Sequence, residues 1–227
     1  MIKKLKRLLF QLILLILLTP VVLIGVFKFV DPPLWGWRLA RLMDPPQGYP
    51  NQVQHQWVPF EQIAGVMPLA VMASEDQKFP NHYGIDVSAL LDVVNEARQG
   101  VPVRGASTIT QQTAKNVFLV PAHSYWRKAY ELYIALWLEA IWGKQRIMEV
   151  YLNVIEFGPG IYGVQAASKH YFNTSANQLT STQAAQLAAV LPNPYTIKVW
   201  PITPYTQQRI QWIQRQMHNL GAVSLSK

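Results

Sequence analysis

The chain has 227 residues, enough for one domain of about 150–200 residues and an appendage. Half of it is hydrophobic and only 14% is charged, low for a water-soluble globule, and the absence of cysteine excludes disulfides and thiolate chemistry. The formal charge of +8 is uneven: five Lys/Arg and no acids stand in residues 1–30, leaving fifteen basic against twelve acidic residues beyond, a modest excess that argues against nucleic acid and suits work near anionic head groups or pyrophosphate.

Residues 1–7 form a basic tail with Lys3, Lys4, Lys6 and Arg7. Leu8 to Phe27 then run without a charge, close to the roughly 20 apolar residues that span a bilayer as a helix. Pro20 and Gly25 lie inside the run, which membrane helices tolerate. A signal peptide has a shorter apolar region and a small-residue cleavage site, and Gly25-Val26-Phe27-Lys28-Phe29-Val30 offers none. Residues 8–30 therefore read as a retained anchor. The positive-inside rule keeps the N-terminus cytoplasmic and places the chain beyond Val30 outside.

Residues 31–60 hold six prolines and read as a juxtamembrane connector, with Trp35 and Trp37 at interfacial depth. From Glu61 apolar residues recur at helical spacing. Helices are predicted over Glu61–Ser74 with a kink at Pro68, and over Val87–Arg98, Thr108–Phe118, Tyr125–Trp142, Arg146–Val154, Gln165–Phe172, Ser181–Leu191 and Gln207–Leu220. A mobile loop is predicted in the second half of Leu91 to Gly105. Alternating strands are scarce, so residues 61–227 read as one all-α, mainly helical domain.

Nine of the twelve acids fall between Glu75 and Glu156, with the polar clusters. The first cluster, Ser74 to Asp86, sets Glu75 where an apolar helix gives way to a turn, a setting suited to a general base or acid. The second, Arg104 to Asn116, predicts a helix capped by Ser107, with Thr108, Gln111, Gln112 and Lys115 on one stripe. Such a stripe offers hydroxyls and amides to sugar and an ammonium to phosphate. In the third, Arg127 and Lys128 lie four and three residues before Glu131, so both reach it on one helix face. One carboxylate at an apolar edge and another beside cations is a division of labour for acid–base work. The fourth contains Glu149 to Asn153 and Phe157 to Gly163, whose glycines have the wrong spacing for a dinucleotide loop. No zinc-protease spacing and no nucleophile elbow occur. Taken singly, these clusters also read as a helix-end pair, a solvated face and a weak surface ion pair.

Together and in this order they resemble the family 51 glycosyltransferases that polymerise peptidoglycan, closest to the stand-alone monofunctional branch. Glu75, Asp76, Phe79, His82, Gly84 and Asp86 match the first signature. Gly105, Ser107 to Gln112, Lys115 and Asn116 match the second. Arg127, Lys128 and Glu131 match the third; Tyr151 to Asn153 and Phe157 to Gly163 the fourth; Leu179-Thr180 and Leu191 to Pro194 a fifth. Gln183 departs from the pattern, where the family usually has Glu. The chain ends soon after the domain, leaving no room for a transpeptidase domain.

The resemblance implies a lysozyme-like helical fold with a hydrophobic lobe partly in the membrane. It implies lipid II and the growing lipid-linked glycan chain as substrates, β-1,4 glycan as product, and membrane lipids and other cell-wall synthesis and division proteins as partners. Nucleic acid is not among them. Glu75 is implied as the catalytic base and Glu131 as the second catalytic carboxylate. Asp76, Phe79, His82, Arg104, Ser107, Thr110, Gln111, Gln112, Lys115, Asn116, Arg127, Lys128 and Tyr151 are implied as substrate-binding, with Lys198 as a further phosphate contact. No cofactor is tightly bound and no metal residues are assigned; a divalent cation, Mg or Mn, is implied as stimulatory. Inner-membrane localisation and a periplasmic catalytic domain are implied as well. Two other readings are a membrane-bound lytic transglycosylase or lysozyme-like hydrolase, which has no pyrophosphate to handle, and a non-catalytic cell-wall scaffold.

Overall fold

In the computed structural model, residues 2–100, 105, 107–122 and 124–225 are described. Among them the first helix, α1 (Ile2–Phe27), is about 39 Å long at 1.5 Å per residue, ample for a hydrocarbon core, and its mean hydropathy peaks at 2.7. Only Pro20 and Ile24 of its side chains are buried. Pro20 has no N–H to give the carbonyl of Ile16, and the hydroxyl of Tyr130 donates to that carbonyl instead. Tyr133, stacked on Tyr130, donates to Leu17 O at 2.8 Å. Lower down, Trp142 Nε1 donates to Ile24 O at 2.7 Å, and Arg146 donates to Phe27 O at 2.8 Å and to Asp31 at 3.0 Å. A guanidinium at the last carbonyls of a helix also opposes its negative end. The anchor is thus fastened along the side of the domain.

The proline-rich stretch is more than a connector. It contains α2 (Gly36–Met43) and β1 (Gln54–His55), and Trp35, expected at the interface, is instead 1% exposed between His55 and Tyr162. Gly36 makes that docking possible, since a Cβ there would lie 2.5 Å from Leu119 O. The predicted Glu61–Ser74 helix begins later, as α3 (Val66–Glu75), after a single 3-10 turn at Phe60–Gln62. Pro68 does not kink it: the first turn has N–H groups without helical partners, so proline fits there.

The other predicted helices form with small shifts of their ends: α4 (Val87–Arg98), α5 (Ile109–Phe118), α6 (Tyr125–Ile141), α7 (Lys144–Val154), α8 (Val164–Phe172), α9 (Ser181–Val190) and α10 (Pro204–Leu220). Part of the loop predicted before Gly105 lies outside the described residues. Two strands missed in the sequence, β2 (Glu156–Gly158) and β3 (Ile161–Tyr162), complete a three-stranded sheet in the order β1-β3-β2. β1 runs parallel and β2 antiparallel to β3. Strands of two or three residues are too short for alternation to show.

α7 runs through the core, with Ile147, Met148, Val150, Tyr151 and Leu152 all inaccessible. The alanines of α9 (Ala184, Ala185, Ala188 and Ala189) let α3 and α10 pack closely on it. Asn153 pins the segment before α3, pairing its side chain with both Val58 N and Val58 O at 2.9 Å. Tyr125, Trp126, Leu136 and Trp137 of α6 are exposed, as are Val87, Leu90 and Leu91 of α4.

Candidate active site

Glu75 is the last residue of α3, the helix that buries Met67, Ala70, Val71 and Met72 against the core. The surroundings of its carboxylate are not the apolar edge expected. Ser74 Oγ donates to Oε1 at 2.9 Å, Gln112 Nε2 donates to Oε2 at 3.1 Å, and Arg209 approaches Oε1 at 3.4 Å. Tyr151, wholly buried, donates its hydroxyl to Gln112 Oε1 at 3.1 Å. That bond fixes which way the amide faces, so its NH₂ side meets Glu75. Burial, with Glu75 and Asp76 nearby, pushes the Tyr151 phenol well above its ordinary range, so it stays a donor.

The second carboxylate, Glu131, is 3% exposed on α6. Arg127 Nη1 lies 2.9 Å from Oε2 and Lys128 Nζ 2.5 Å from Oε1. Lys128 also donates to Ser107 Oγ and Gln111 Oε1, both at 3.2 Å, tying α6 to the start of α5. Ser124 caps α6 by accepting from Arg127 N at 3.1 Å. Lys115 of α5 lies in the field of both carboxylates. Burial pushes its ammonium below the ordinary value of 10.5, Arg127 and Lys128 push the same way, and Glu131 and Glu75 oppose them. Gln112, one turn before Lys115, holds the first acid.

Several predicted site residues build the frame around this cluster. Asp76 is buried, accepts from Ile109 N at 3.0 Å, the first amide of α5, and takes the His82 ring N–H at 2.9 Å. Phe79 is inaccessible, with the Lys144 ammonium 4.4 Å from its ring centre, and Lys144 also pairs with Glu139 at 2.6 Å. Thr110 is buried and donates to Glu139 at 2.6 Å. Ser107 is not the cap of α5: Thr108 is, accepting from Gln111 N while donating to Gly84 O at 2.6 Å. The predicted polar stripe is divided accordingly, because Thr108 is 2% exposed and fully engaged. Gly84 has φ +79°, and a Cβ there would press on Ala135 O at 3.2 Å, so only glycine lets this turn lie against α6. Asn116 is buried on α5.

Arg104 lies outside the described residues. Lys198 does not join the cluster; it lines a separate cavity of about 350 Å³ with His170, Tyr171 and Trp200. Among the described residues no three of His, Asp and Glu gather as metal ligands. Arg209 was missed in the sequence. It sits in α10, 134 residues from Glu75, and no local spacing points from one to the other.

The geometry invites comparison with known proteins. The transglycosylase family matches residues 44–218, from just after α2 to near the end of α10. The chain belongs to this family. A biosynthetic peptidoglycan transglycosylase of Vibrio parahaemolyticus is 60% identical over 225 residues, covering 99% of this chain and all of the relative. One of Aeromonas hydrophila is 48% identical across 96% of this chain and 92% of its own length. One of Shewanella oneidensis is 50% identical across 89% of this chain and 86% of its own length. Family membership thus spans the helices that carry Glu75, Lys115, Glu131, Tyr151 and Arg209.

Proposed function

We propose that Glu75 and Glu131 divide the work of a glycosyl transfer in which this peptidoglycan glycosyltransferase polymerises lipid II into linear β-1,4 glycan strands. The observation that carries the reading is the buried Glu131 held by Arg127 and Lys128, with Lys115 half-buried in the field of both carboxylates. Glu75 takes the proton from the 4-hydroxyl of the acceptor sugar. That oxygen attacks C1 of the donor sugar from the face opposite its α-linked pyrophosphate. The C1–O bond breaks, the β bond forms, and lipid pyrophosphate leaves with the bonding electrons. A pyrophosphate is already a good leaving group, so the protein's task is orientation and charge stabilisation. Gln112 and Arg209 orient Glu75, while Lys115, Arg127 and Lys128 meet the departing phosphates and Glu131 holds the last two in place.

The apolar first helix and the apolar side chains exposed on α4 and α6 support delivery of both lipid-linked substrates from the bilayer. The basic tail supports a cytoplasmic N-terminus, with the domain on the outer face of the inner membrane. A lytic enzyme cleaves a glycosidic bond and has no pyrophosphate for three clustered cations to meet. Incubation of the protein with labelled lipid II tests the reading. Glycan polymer on a gel is expected; intact lipid II together with shortened strands from added sacculi would overturn it in favour of the hydrolase.

A further inference from the structure

We propose that Trp37 of α2 is a positioning residue for the transfer: its indole is a platform that holds the Lys115 ammonium at the site of the departing pyrophosphate. This rests on the role of Lys115 as a phosphate contact, and it extends the site to a helix that precedes the residues shared with the family.

The platform is built from both sides. Lys115 Nζ lies 5.2 Å from the ring centre of Trp37, within the range of a cation–π contact. The ring also meets the Arg41 guanidinium, which faces the carboxylate of Glu156, 6% exposed in β2. Glu156 is itself tied down, accepting from Gly160 N at 3.0 Å and from the Tyr195 hydroxyl at 2.9 Å. Arg41, one turn along α2, lies 5.2 Å from Trp37, 4.9 Å from the Tyr195 ring and 3.8 Å from Glu156. At its other end α2 is seated by Gly36 on the backbone of Leu119, one residue past the end of α5.

A lysine side chain is a flexible stem with a point charge, and burial makes its charged form harder to keep. An aromatic face both covers the stem and attracts the ammonium, without competing for it as a carboxylate does. Lys115 therefore remains directed at the site rather than folding onto Glu131 or Glu75. The charged groups facing it are Glu131, Arg127 and Lys128 from α6 and Glu75 from α3. α2, which follows the anchor, contributes the indole, with Arg41 of the same helix at the ring and opposed by Glu156.

The test is a double-mutant cycle with lipid II turnover as readout, in full-length protein in detergent. Trp37→Leu keeps apolar bulk and removes the π face. It is expected to lower kcat/KM roughly tenfold and to move the alkaline limb of the pH profile to lower pH, since the ammonium loses an attraction. Made on top of Lys115→Ala, the same change is expected to add less than about twofold. Wild-type kcat/KM and an unmoved limb in Trp37→Leu, or full additivity with Lys115→Ala, would overturn the proposal. Should Lys115→Ala alone turn over lipid II normally, the role of Lys115 falls first and the platform with it. If Trp37→Leu does not fold, Trp37→Phe decides: a face without the N–H is expected to stay coupled to Lys115, and loss of coupling counts against the proposal.

Discussion

The two carboxylates are assembled in opposite ways. Glu131 draws both cations from its own helix, at four and three residues' distance, so any helix over Tyr125–Ile141 brings them together. Glu75 draws Gln112 from α5 and Arg209 from α10, with Tyr151 of α7 behind Gln112. Its surroundings exist only when four helices are packed. The local cluster is robust and carries charge; the assembled one carries orientation, and is the one that tertiary packing can tune.

The largest expected effect breaks the comparison at its chemical end. Glu75→Gln keeps the shape and hydrogen-bonding reach of the side chain but cannot take a proton, and lipid II turnover should fall by roughly 10²–10⁴. Glu131→Gln leaves Arg127 and Lys128 without their counter-charge, and should cost on the order of 10²–10³. Circular dichroism of both is expected to match the parent. Turnover of Glu75→Gln within tenfold of the parent would remove it as the base, and a larger loss at Glu131 would reverse the assignment.

Lys115 joins the two halves, and its titration gives the next effect. Its folded value lies below the ordinary 10.5 because burial disfavours the ammonium. Activity that needs the cation should therefore decline as pH rises through that lowered value, and Lys115→Arg should carry the limb to higher pH. Stability runs the other way. The unfolded chain holds the proton more tightly, so the buried ammonium costs stability below the folded value, and the cost disappears as pH rises towards 10.5. Lys115→Met should raise the melting midpoint at neutral pH, lose activity, and show a shrinking advantage through that window. A midpoint difference independent of pH would contradict the buried-cation account.

This contrast also explains what was legible in the sequence. Helices α4 to α10 showed in the apolar period, and Arg127, Lys128 and Glu131 in their spacing. The motifs named Glu75 and Gln112 by resemblance, but their spacing did not distinguish residues in the cleft from residues in its frame. Asp76, Phe79, His82 and Thr110 are as regular in the sequence as Glu75, yet they are held under neighbouring helices. Arg209 left no trace, and Trp37, read as an interfacial ring, and Glu156 gave no sign of their contacts, because each reaches its partner across the fold. The strands were too short to alternate, and α2 was hidden by the prolines on either side of it.

Arg209→Ala sharpens the comparison from the assembled side. The guanidinium also donates to Ala189 O at 3.1 Å and Ser74 Oγ at 3.0 Å, bracing the end of α3 against α9. Removing it should lower kcat roughly tenfold, equivalent to about 1.4 kcal/mol in the barrier, with little change at Glu131. A double mutant with Glu75→Gln should show no further loss; independent losses would mean that Arg209 acts on the substrate rather than through the base.

The smallest effect concerns Gln183, where the resemblance leads one to expect Glu. In the structure it closes a capping box at the start of α9: its Oε1 accepts from Thr180 N at 2.9 Å, and its own N–H donates to Thr180 Oγ1 at 3.3 Å. An amide oxygen performs that bond as a carboxylate does, and the side chain's bonds stay within its own cap. Gln183→Glu adds only a charge near the positive end of a helix. It should stabilise the fold by about 0.3–1 kcal/mol at low salt, lose that gain at high salt, and leave lipid II turnover unchanged. A change in turnover would mean that α9 transmits its cap to Glu75 through the Ser74 contact with Ala188 O, and that even this distant turn belongs to the assembled half of the site.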